Sequence, residues 1–253
     1  MTATARRCSK RSREVAIVGI DCAAQPENTG LALTLWRRQA SKLSVIETRC
    51  AAVAKPAATI ISGWIKPFGC VLLALDAPLG WPAPLMLSLA NHRAGECLAH
   101  APKAMFRRTT DVDIRARLKT LPLAIGADRI AWAAHAALVF LKELRPLVSA
   151  PVKLLWRPDW SGCIGAIEVY PKATRASLGV PKDAGSLEGL ESRFGFSSDQ
   201  TPSSEHERDA IVCAIAGAEF LQGRAIAPTR SQQALARQEG WIWAGPSVTG
   251  AQK

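Results

Sequence analysis

Long apolar runs are missing from this sequence. No stretch of about 18 apolar residues, the length of a membrane-spanning helix, is free of charges or helix breakers. The basic N-terminus is not followed by the apolar core and cleavage site of a secretory signal. We therefore expect a soluble protein whose residues 1–14 form a disordered basic leader.

Paired cysteines are missing as well. The seven cysteines are scattered singly with no C-x-x-C pair, and an odd number fits poorly with a closed disulfide framework. This usage favours a reducing compartment, so we expect the protein to be cytoplasmic. His92, Cys97 and His100 do not have the spacing of a standard zinc site, and a fourth ligand is missing.

Negative charge is scarce. The chain has 32 Lys and Arg against 21 Asp and Glu, a net charge of +11, and its pI is near 9.7. Such an excess attracts polyanions, so nucleic acid, either DNA or RNA, is the expected partner. One local concentration of basic residues is opposed only by Asp111 and Asp113. It consists of Lys103, Arg107, Arg108, Arg115, Arg117 and Lys119.

The length and composition are those of one globular domain. The 253 residues are 48% hydrophobic and 21% charged, enough to bury a sizeable core. Short apolar runs predict strands, and longer apolar patterns predict helices. The predicted strands cover residues 15–20, 31–36, 43–49, 71–75 and 165–170. The predicted helices cover residues 51–67, 126–144 and 205–222.

This order of elements predicts an α/β fold. The first three strands form an antiparallel meander, and helical crossovers then add parallel strands. The result is a mixed five-stranded sheet with helices on both faces. The domain covers residues 15–223 and includes a helical insertion at about 83–145. Residues 224–253 form a basic tail that packs on the domain.

Two carboxylates follow predicted strands. Asp21 ends the first strand and Asp76 ends the fourth. If these strands are parallel neighbours, both side chains lie at the same edge of the sheet, where α/β proteins bind ligands. Such a pair is either protonated or bound to a cation, and carboxylate oxygens suit Mg²⁺ or Mn²⁺. The alternative for each residue is a turn former or a helix cap.

Two further acids belong to elements that this topology brings nearby. Glu168 stands among apolar residues of the last strand, where burial requires a partner, and Lys172 or Arg175 would serve as one. Asp209 lies near the start of the last helix and could close the cluster. Its alternative role is a favourable interaction with the helix dipole.

Several short motifs together resemble a known family. They are Ile20-Asp21, Thr29-Gly30-Leu31-Ala32, Leu75-Asp76-Ala77-Pro78-Leu79-Gly80, Arg108-Thr109-Thr110-Asp111, Ile167-Glu168-Val169-Tyr170-Pro171, Asp209-Ala210-Ile211-Val212-Cys213-Ala214 and Glu239-Gly240-Trp241-Ile242. In this order, from about residue 15 to residue 245, they resemble the family catalogued as domain of unknown function 429. Members of that family are regarded as predicted nucleases with a ribonuclease-H-like fold.

The resemblance implies a carboxylate site that holds two metal ions. Asp21, Asp76 and Asp209 would be the ligands of Mg²⁺ or Mn²⁺, with Glu168 as a fourth catalytic acid. One ion would generate hydroxide from water, and the other would stabilise the leaving oxygen of a phosphodiester. His206 could shuttle a proton, although a solvated position at the start of the helix is its alternative.

Three residues are candidates for substrate contacts. Arg108 and Lys172 would neutralise phosphate charge, and Trp81 would contact a base at the rim of the site. The alternative for Arg108 is an ion pair with Asp111 or Asp113.

The other tryptophans divide into two groups. Trp241 is also a rim candidate, although packing of the tail across the sheet is the default reading of its motif. Trp64 and Trp132 fall on helical faces, so we expect them in the core.

The metal-dependent nuclease has two competing interpretations. The segment from Gly19 to Gly30 also resembles the first phosphate turn of actin-like ATPases and sugar kinases, but the chain leaves little room for the second half of that fold. A noncatalytic nucleic-acid-binding module, in which the acids are structural, is the other alternative.

Overall fold

The computed structural model describes residues 7–8, 14–37, 41–126, 128–181, 187–197 and 201–248. The strands are β1 (Arg7–Cys8), β2 (Glu14–Asp21), β3 (Gly30–Arg37), β4 (Lys42–Cys50), β5 (Val71–Asp76), β6 (Val152–Leu154), β7 (Trp160–Ser161), β8 (Ile164–Glu168) and β9 (Phe194–Phe196). The helices are α1 (Ala57–Ile65), α2 (Ala83–Leu89), α3 (Pro102–Phe106), α4 (Thr109–Leu118), α5 (Asp128–Leu144), α6 (Pro171–Ser177), α7 (Glu205–Leu221) and α8 (Gln233–Glu239).

The main sheet is mixed and has seven strands in the order β6-β8-β5-β2-β3-β4-β9. Strands β2, β3 and β4 form an antiparallel meander, β5 is parallel to β2, and β8 is parallel to β5. Strands β6 and β9 extend the two edges in parallel with β8 and β4. The predicted α/β class and its mixed sheet are confirmed.

The predicted number of five strands is wrong, because two short strands extend the sheet. Strands β6 and β9 have three residues each, too few for an alternating pattern to be recognised in the sequence. Helix α6 was also missed. Its first residue is Pro171, which sequence analysis took as the stop of a strand, although proline is well suited to the first position of a helix.

Side chains of the sheet alternate between two separate cores. Val15 and Ile17 of β2 pack on the face covered by α7, whereas Ala16, Val18 and Ile20 pack on the face that contacts α1 and α5. This period of two is what a strand buried on both faces requires. The prediction of helices on both faces is confirmed.

Helix α7 approaches the sheet closely because glycines line its path. A Cβ atom on Gly19 would lie 1.8 Å from the carbonyl oxygen of Ala210, and one on Gly30 would lie 2.0 Å from that of His206. Gly19 and Gly30 therefore leave room for the helix backbone itself. This approach fixes the first turns of α7 over the carboxyl end of β2.

The segment after α7 is packed against the rest of the chain. Trp241, Ile242 and Trp243 are buried, and Ile242 pairs in parallel with Glu168 beyond the end of β8. Helix α8, which the sequence interpretation did not contain, leads into this segment. Residues 249–253 lie outside the described part of the chain.

The ends and cysteines of the chain complete the fold. Most of the predicted disordered leader, residues 1–6 and 9–13, lies outside the described residues, whereas Arg7 and Cys8 pair with β7. Cys70 is disulfide-bonded. The free cysteines are Cys22, Cys50, Cys97, Cys163 and Cys213. Among the described residues, no helix combines the length and the apolar character needed to cross a membrane.

Candidate functional site

Asp21 and Asp76 are direct neighbours across two parallel strands. They are the last residues of β2 and β5, and the register of this pair places Asp21 opposite Asp76. Neighbouring strands lie about 4.8 Å apart. Both residues continue the alternation that faces α7, since Ile17 of β2 and Ala74 of β5 pack on that side. Two partly exposed carboxylates therefore share one edge and one face of the sheet.

Helix α7 adds a third carboxylate and a histidine. Nδ1 of His206 is 2.7 Å from Oδ2 of Asp21. Asp209 follows one turn later, and its charge acts on both Asp21 and Asp76. Since Gly30, the residue opposite Asp21 on β3, has no side chain, the helix start fits directly over this position. The structure thus brings Asp21, Asp76 and Asp209 together.

The three carboxylates carry more negative charge than their surroundings compensate. Burial raises the pKa of Asp21 to about 6, an effect that the His206 hydrogen bond opposes and the Asp209 charge increases. Burial and the charges of Asp21 and Asp209 raise the pKa of Asp76 well above its usual range. Burial also raises the pKa of Asp209, which Arg175 opposes. A proton or a cation at this edge would relieve the repulsion.

Two cations and a phenol lie beside the carboxylates. Nη2 of Arg175, on α6, is 3.5 Å from Oδ1 of Asp209. Lys172 is exposed on the first turn of α6, and its charge partly opposes the rise in the pKa of Asp76. Burial and the charges of Asp76 and Asp111 raise the pKa of Tyr170 to about 12, so its hydroxyl remains a hydrogen-bond donor at neutral pH. From the sequence, Arg175 was expected only as a partner for Glu168, whereas in the structure it faces Asp209.

The residues present fit Mg²⁺ or Mn²⁺ by their chemistry, because all three carboxylates offer oxygen. Their rotamers are set by protein partners: Asp21 faces His206, and Asp209 faces Arg175. Within the described ranges, no three His, Cys, Asp or Glu side chains are grouped closely enough to hold one metal ion.

Glu168, the predicted fourth acid, faces the other way. Its partner in the register is Leu75, not Asp76, so the alternation of the sheet directs it away from α7. It is buried and accepts hydrogen bonds from the guanidinium of Arg108 and, at 3.0 Å, from the backbone N–H of Leu79. Glu168 is thus engaged in the protein interior, and its predicted role in catalysis is not supported by this geometry.

Arg108 is a structural residue rather than an exposed phosphate contact. Its side chain is only 3% exposed, with Nη2 at 2.9 Å from Asp111 and at 2.7 Å from Glu168. The alternative partner Asp111 is therefore the correct one, while Asp113 pairs with Arg117 at 2.7 Å. The role in substrate binding that the sequence predicted for Arg108 would need a side chain that solvent can reach.

The Glu-Gly-Trp-Ile motif completes this buried network. The carboxylate of Glu239 accepts hydrogen bonds from the backbone N–H of Ala83 at 2.9 Å and from that of Thr109 at 2.7 Å. It therefore joins the starts of α2 and α4. Gly240 has φ +87°, and a Cβ there would lie 2.6 Å from Oε2 of Glu168. Helix α2 has no side-chain cap from its own N-cap residue, and no local sequence pattern indicates that Glu239 accepts from its first N–H.

One tryptophan differs clearly from its predicted position. Trp132, predicted in the core, is 63% exposed on α5. Trp241 was a rim candidate with packing of its motif across the sheet as the default, and it is buried and donates its indole N–H to the carbonyl of Ile226 at 3.0 Å. Trp64 is partly buried, as expected for a residue packed against the core. Trp81 is half-buried after β5, and its contact with a base stays a prediction.

No family model, curated protein or solved structure matches this chain. The resemblance of its motifs to a nuclease family therefore stays a prediction, and the function must be argued from the geometry of the carboxylates.

Proposed function

We propose that this protein is a divalent-metal-dependent nuclease with a ribonuclease-H-like fold. The central strands β4-β3-β2-β5-β8 support this architecture, because they combine an antiparallel meander with parallel strands in the arrangement that the resemblance implies. The observation that carries the proposal is the register of Asp21 opposite Asp76 beneath Asp209. Their raised pKa values indicate a position that favours added positive charge.

In this proposal Asp21, Asp76 and Asp209 hold Mg²⁺ or Mn²⁺. The bound ions would supply activation of water and stabilisation of the leaving oxygen of a phosphodiester. Lys172 lies exposed at the start of α6, beside Asp76, where its ammonium would attract the substrate phosphate. Arg175 holds Asp209 in place from the buried side of α6.

His206 is the residue placed to move a proton. Its ring is 42% exposed, and Nδ1 contacts Asp21. If Asp21 bound a cation, this nitrogen would lose its partner at the mouth of the site. It would then be placed to take up or deliver a proton during hydrolysis. The catalytic roles of Asp21, Asp76 and Asp209 need no side-chain nucleophile.

The substrate class follows from charge. The net charge of +11 favours a polyanion, and exposed Lys103, Arg115 and Lys119 keep part of the basic segment accessible to solvent. Phosphate contacts of this kind weaken steeply as salt rises. We therefore expect DNA or RNA to bind in a salt-dependent manner.

A cleavage assay tests this function. Wild type, Asp76→Asn and the control Asp159→Asn would be incubated with single- and double-stranded DNA and RNA in Mg²⁺, Mn²⁺ or chelator. We expect cleavage that requires metal, falls at least about 100-fold in Asp76→Asn and persists in Asp159→Asn, whose carboxylate forms only an exposed ion pair. Salt-dependent binding without cleavage in every condition would contradict the nuclease and favour the binding module, whereas ATP hydrolysis would favour the kinase-like relative.

A further inference from the structure

A pocket of about 300 Å³ opens next to the carboxylates, on the opposite face of the sheet. It begins at Ile20 and Cys22, the two residues that flank Asp21. The pocket and the acid cluster are therefore separated only by the end of β2.

The walls of this pocket are small and apolar. One wall is the start of α1, with Ala57 and Ala58, and the other is the middle of α5, with Ala136 and Val139. Alanines on both sides, with no larger side chain at these positions, leave space between the two helices. Its volume is at the lower end of ligand pockets, about 300–1,000 Å³.

The rim of the pocket is aromatic and polar. Trp132 lines it although its ring is 63% exposed, and its indole N–H reaches only Asp128, at 3.1 Å, on its own helix. His135 and Glu143, also exposed on α5, add a ring nitrogen and a carboxylate to the same rim. Aromatic faces stack on nucleobases, and imidazole and carboxylate groups bond to the polar edges of such rings.

We propose that this pocket binds one nucleobase of the substrate, the base of a nucleotide whose phosphate lies at the edge formed by Asp21 and Asp76. The inference rests on the proposed function for the position of the phosphate. To that function it adds which group of the substrate is recognised. A base held in the pocket would determine which phosphate reaches the carboxylates. The uncapped start of α1 brings backbone N–H groups to the same wall, where they can donate to a base carbonyl.

Calorimetric binding in Mg²⁺ of AMP, CMP and ribose 5-phosphate, which lacks a base, tests the pocket without relying on cleavage. We expect wild type to bind the two nucleotides at least about 10-fold more tightly than ribose 5-phosphate. Ala136→Leu should remove this difference by filling the pocket. The control Ala133→Leu, on the same helix and similarly half-exposed, does not line the pocket and should retain it.

Trp132→Ala provides a second variant that leaves the core intact, since the ring is largely exposed, and it should also weaken the preference for nucleotides. Equal or undetectable binding of nucleotides and ribose 5-phosphate to wild type would overturn the inference, as would an unchanged preference in both pocket variants. Base-dependent binding without cleavage of any nucleic acid would support the pocket and refute the nuclease. Comparing ATP with a dinucleotide separates the two sources, because tighter binding of the dinucleotide assigns the pocket to nucleic acid and tighter binding of ATP assigns it to a free nucleotide.

Discussion

Arg108 joins three parts of the chain that are distant in sequence. Its guanidinium contacts Asp111 at the start of α4 and Glu168 at the end of β8, and Nη1 donates to the backbone carbonyl of Glu239 at 3.2 Å. Burial lowers the pKa of Arg108, but the charges of Glu168 and Asp111 outweigh this effect and raise it. A permanently charged residue thus forms ion pairs with two buried carboxylates next to the candidate site.

Replacing Arg108 tests its assignment as a structural residue. Arg108→Ala leaves two carboxylates buried without their cation, so we expect the free energy of unfolding to fall by about 3–5 kcal/mol. Urea denaturation followed by circular dichroism measures this change. The control Arg157→Ala, which removes only an exposed ion pair, should change stability by less than about 1 kcal/mol. A small effect of Arg108→Ala on stability with a large loss of nucleic-acid binding would restore the role in substrate contact.

Burial and the charges of Asp21 and Asp209 disfavour the ionised form of Asp76, so a neutral side chain there should stabilise the metal-free protein. In Asp76→Asn the buried carboxyl and its repulsion with Asp21 and Asp209 are both removed, and we expect an increase in the free energy of unfolding of about 1–3 kcal/mol at pH 7 without metal. Thermal denaturation in chelator measures it, with Asp159→Asn as the exposed control. A destabilised Asp76→Asn would mean that the acid is held by favourable contacts instead of repulsion.

At this scale the sequence predicts which residues end strands better than the direction in which their side chains point. Asp21 and Asp76 follow apolar runs, and parallel strands bring such ends together whatever the details of packing. The direction of Glu168 depends on the register between β5 and β8, which no local pattern reveals. The pairing of Arg108 with Asp111 is local and was among the predicted alternatives, whereas its pairing with Glu168 depends on a contact across 60 residues of chain.

Helix α7 is the element that positions the site. Gly217 also lies close to the sheet, since a Cβ there would lie 2.8 Å from Cγ2 of Ile17. Small residues therefore bring the whole length of α7 onto β2. Any change that lifts the helix also moves Asp209 and His206 away from Asp21.

Gly19→Ala tests this packing directly. The added methyl group would lie 1.8 Å from the backbone of Ala210, which has no rotamer to escape, so we expect a loss of more than about 3 kcal/mol in stability. Gly63→Ala is the matched control, because Gly63 lies inside α1 with open space around it and alanine should stabilise that helix by about 0.5–1 kcal/mol. Chemical denaturation of both variants provides the comparison, and a tolerated Gly19→Ala would contradict the close approach.

The start of α7 is also tied to β4 through Glu207. Burial alone would raise the pKa of this carboxyl, but hydrogen bonds from Ser203, Thr48 and Ser204 outweigh it and lower the pKa. An acid with a lowered pKa in the folded state contributes stability above its unfolded pKa, and that contribution is lost as the pH falls through the folded value. The bonds to Ser203 Oγ and Thr48 Oγ1 measure 2.7 and 2.9 Å.

Glu207→Gln should therefore have a pH-dependent cost. At pH 7 we expect a loss of about 1–3 kcal/mol, since a carboxylate that accepts several hydrogen bonds is replaced by a neutral amide. The difference from wild type should begin to shrink as the pH falls below the ordinary pKa of glutamate, about 4.3, and shrink further as the folded-state carboxyl becomes protonated. Urea denaturation from pH 3 to pH 7 measures this, with exposed Glu191→Gln as the control. A cost that is constant over this range would exclude the charge as its cause.

The elements that were predicted correctly are those with strong patterns over enough residues. Strands β2, β3, β4 and β5 and helices α5 and α7 all coincide with predicted elements within a few residues. The predicted helix at 51–67 begins only at Ala57, because Pro56 occupies the position before it in an extended conformation. Strands β6 and β9 depend on pairing with neighbours already in the sheet, so three residues of sequence carry no signal of them.

For the molecule as a whole, the pocket beside β2 was not predicted. Its walls come from α1 and α5, which are distant in sequence, and alanines in a helix are more often neutral helix formers than parts of a binding site. The prediction that Trp132 lies in the core is wrong because the apolar surface of α5 is wider than the part of it that packs on the rest of the protein. The net charge could be predicted because it is a sum over the whole chain. The α/β class could be predicted because it depends on the order of elements that have strong patterns.

Binding of Mn²⁺ measured by calorimetry at pH 8 tests the central claim most directly, because it probes the three carboxylates without assuming a substrate. We expect wild type to bind Mn²⁺ and Asp76→Asn to bind it at least about 10-fold more weakly, since one of three oxygen-bearing ligands is replaced by a neutral amide. The control Asp159→Asn should bind it like wild type. Absence of Mn²⁺ binding by wild type, or equal binding by wild type and Asp76→Asn, would contradict the assignment of Asp21, Asp76 and Asp209 to a metal site.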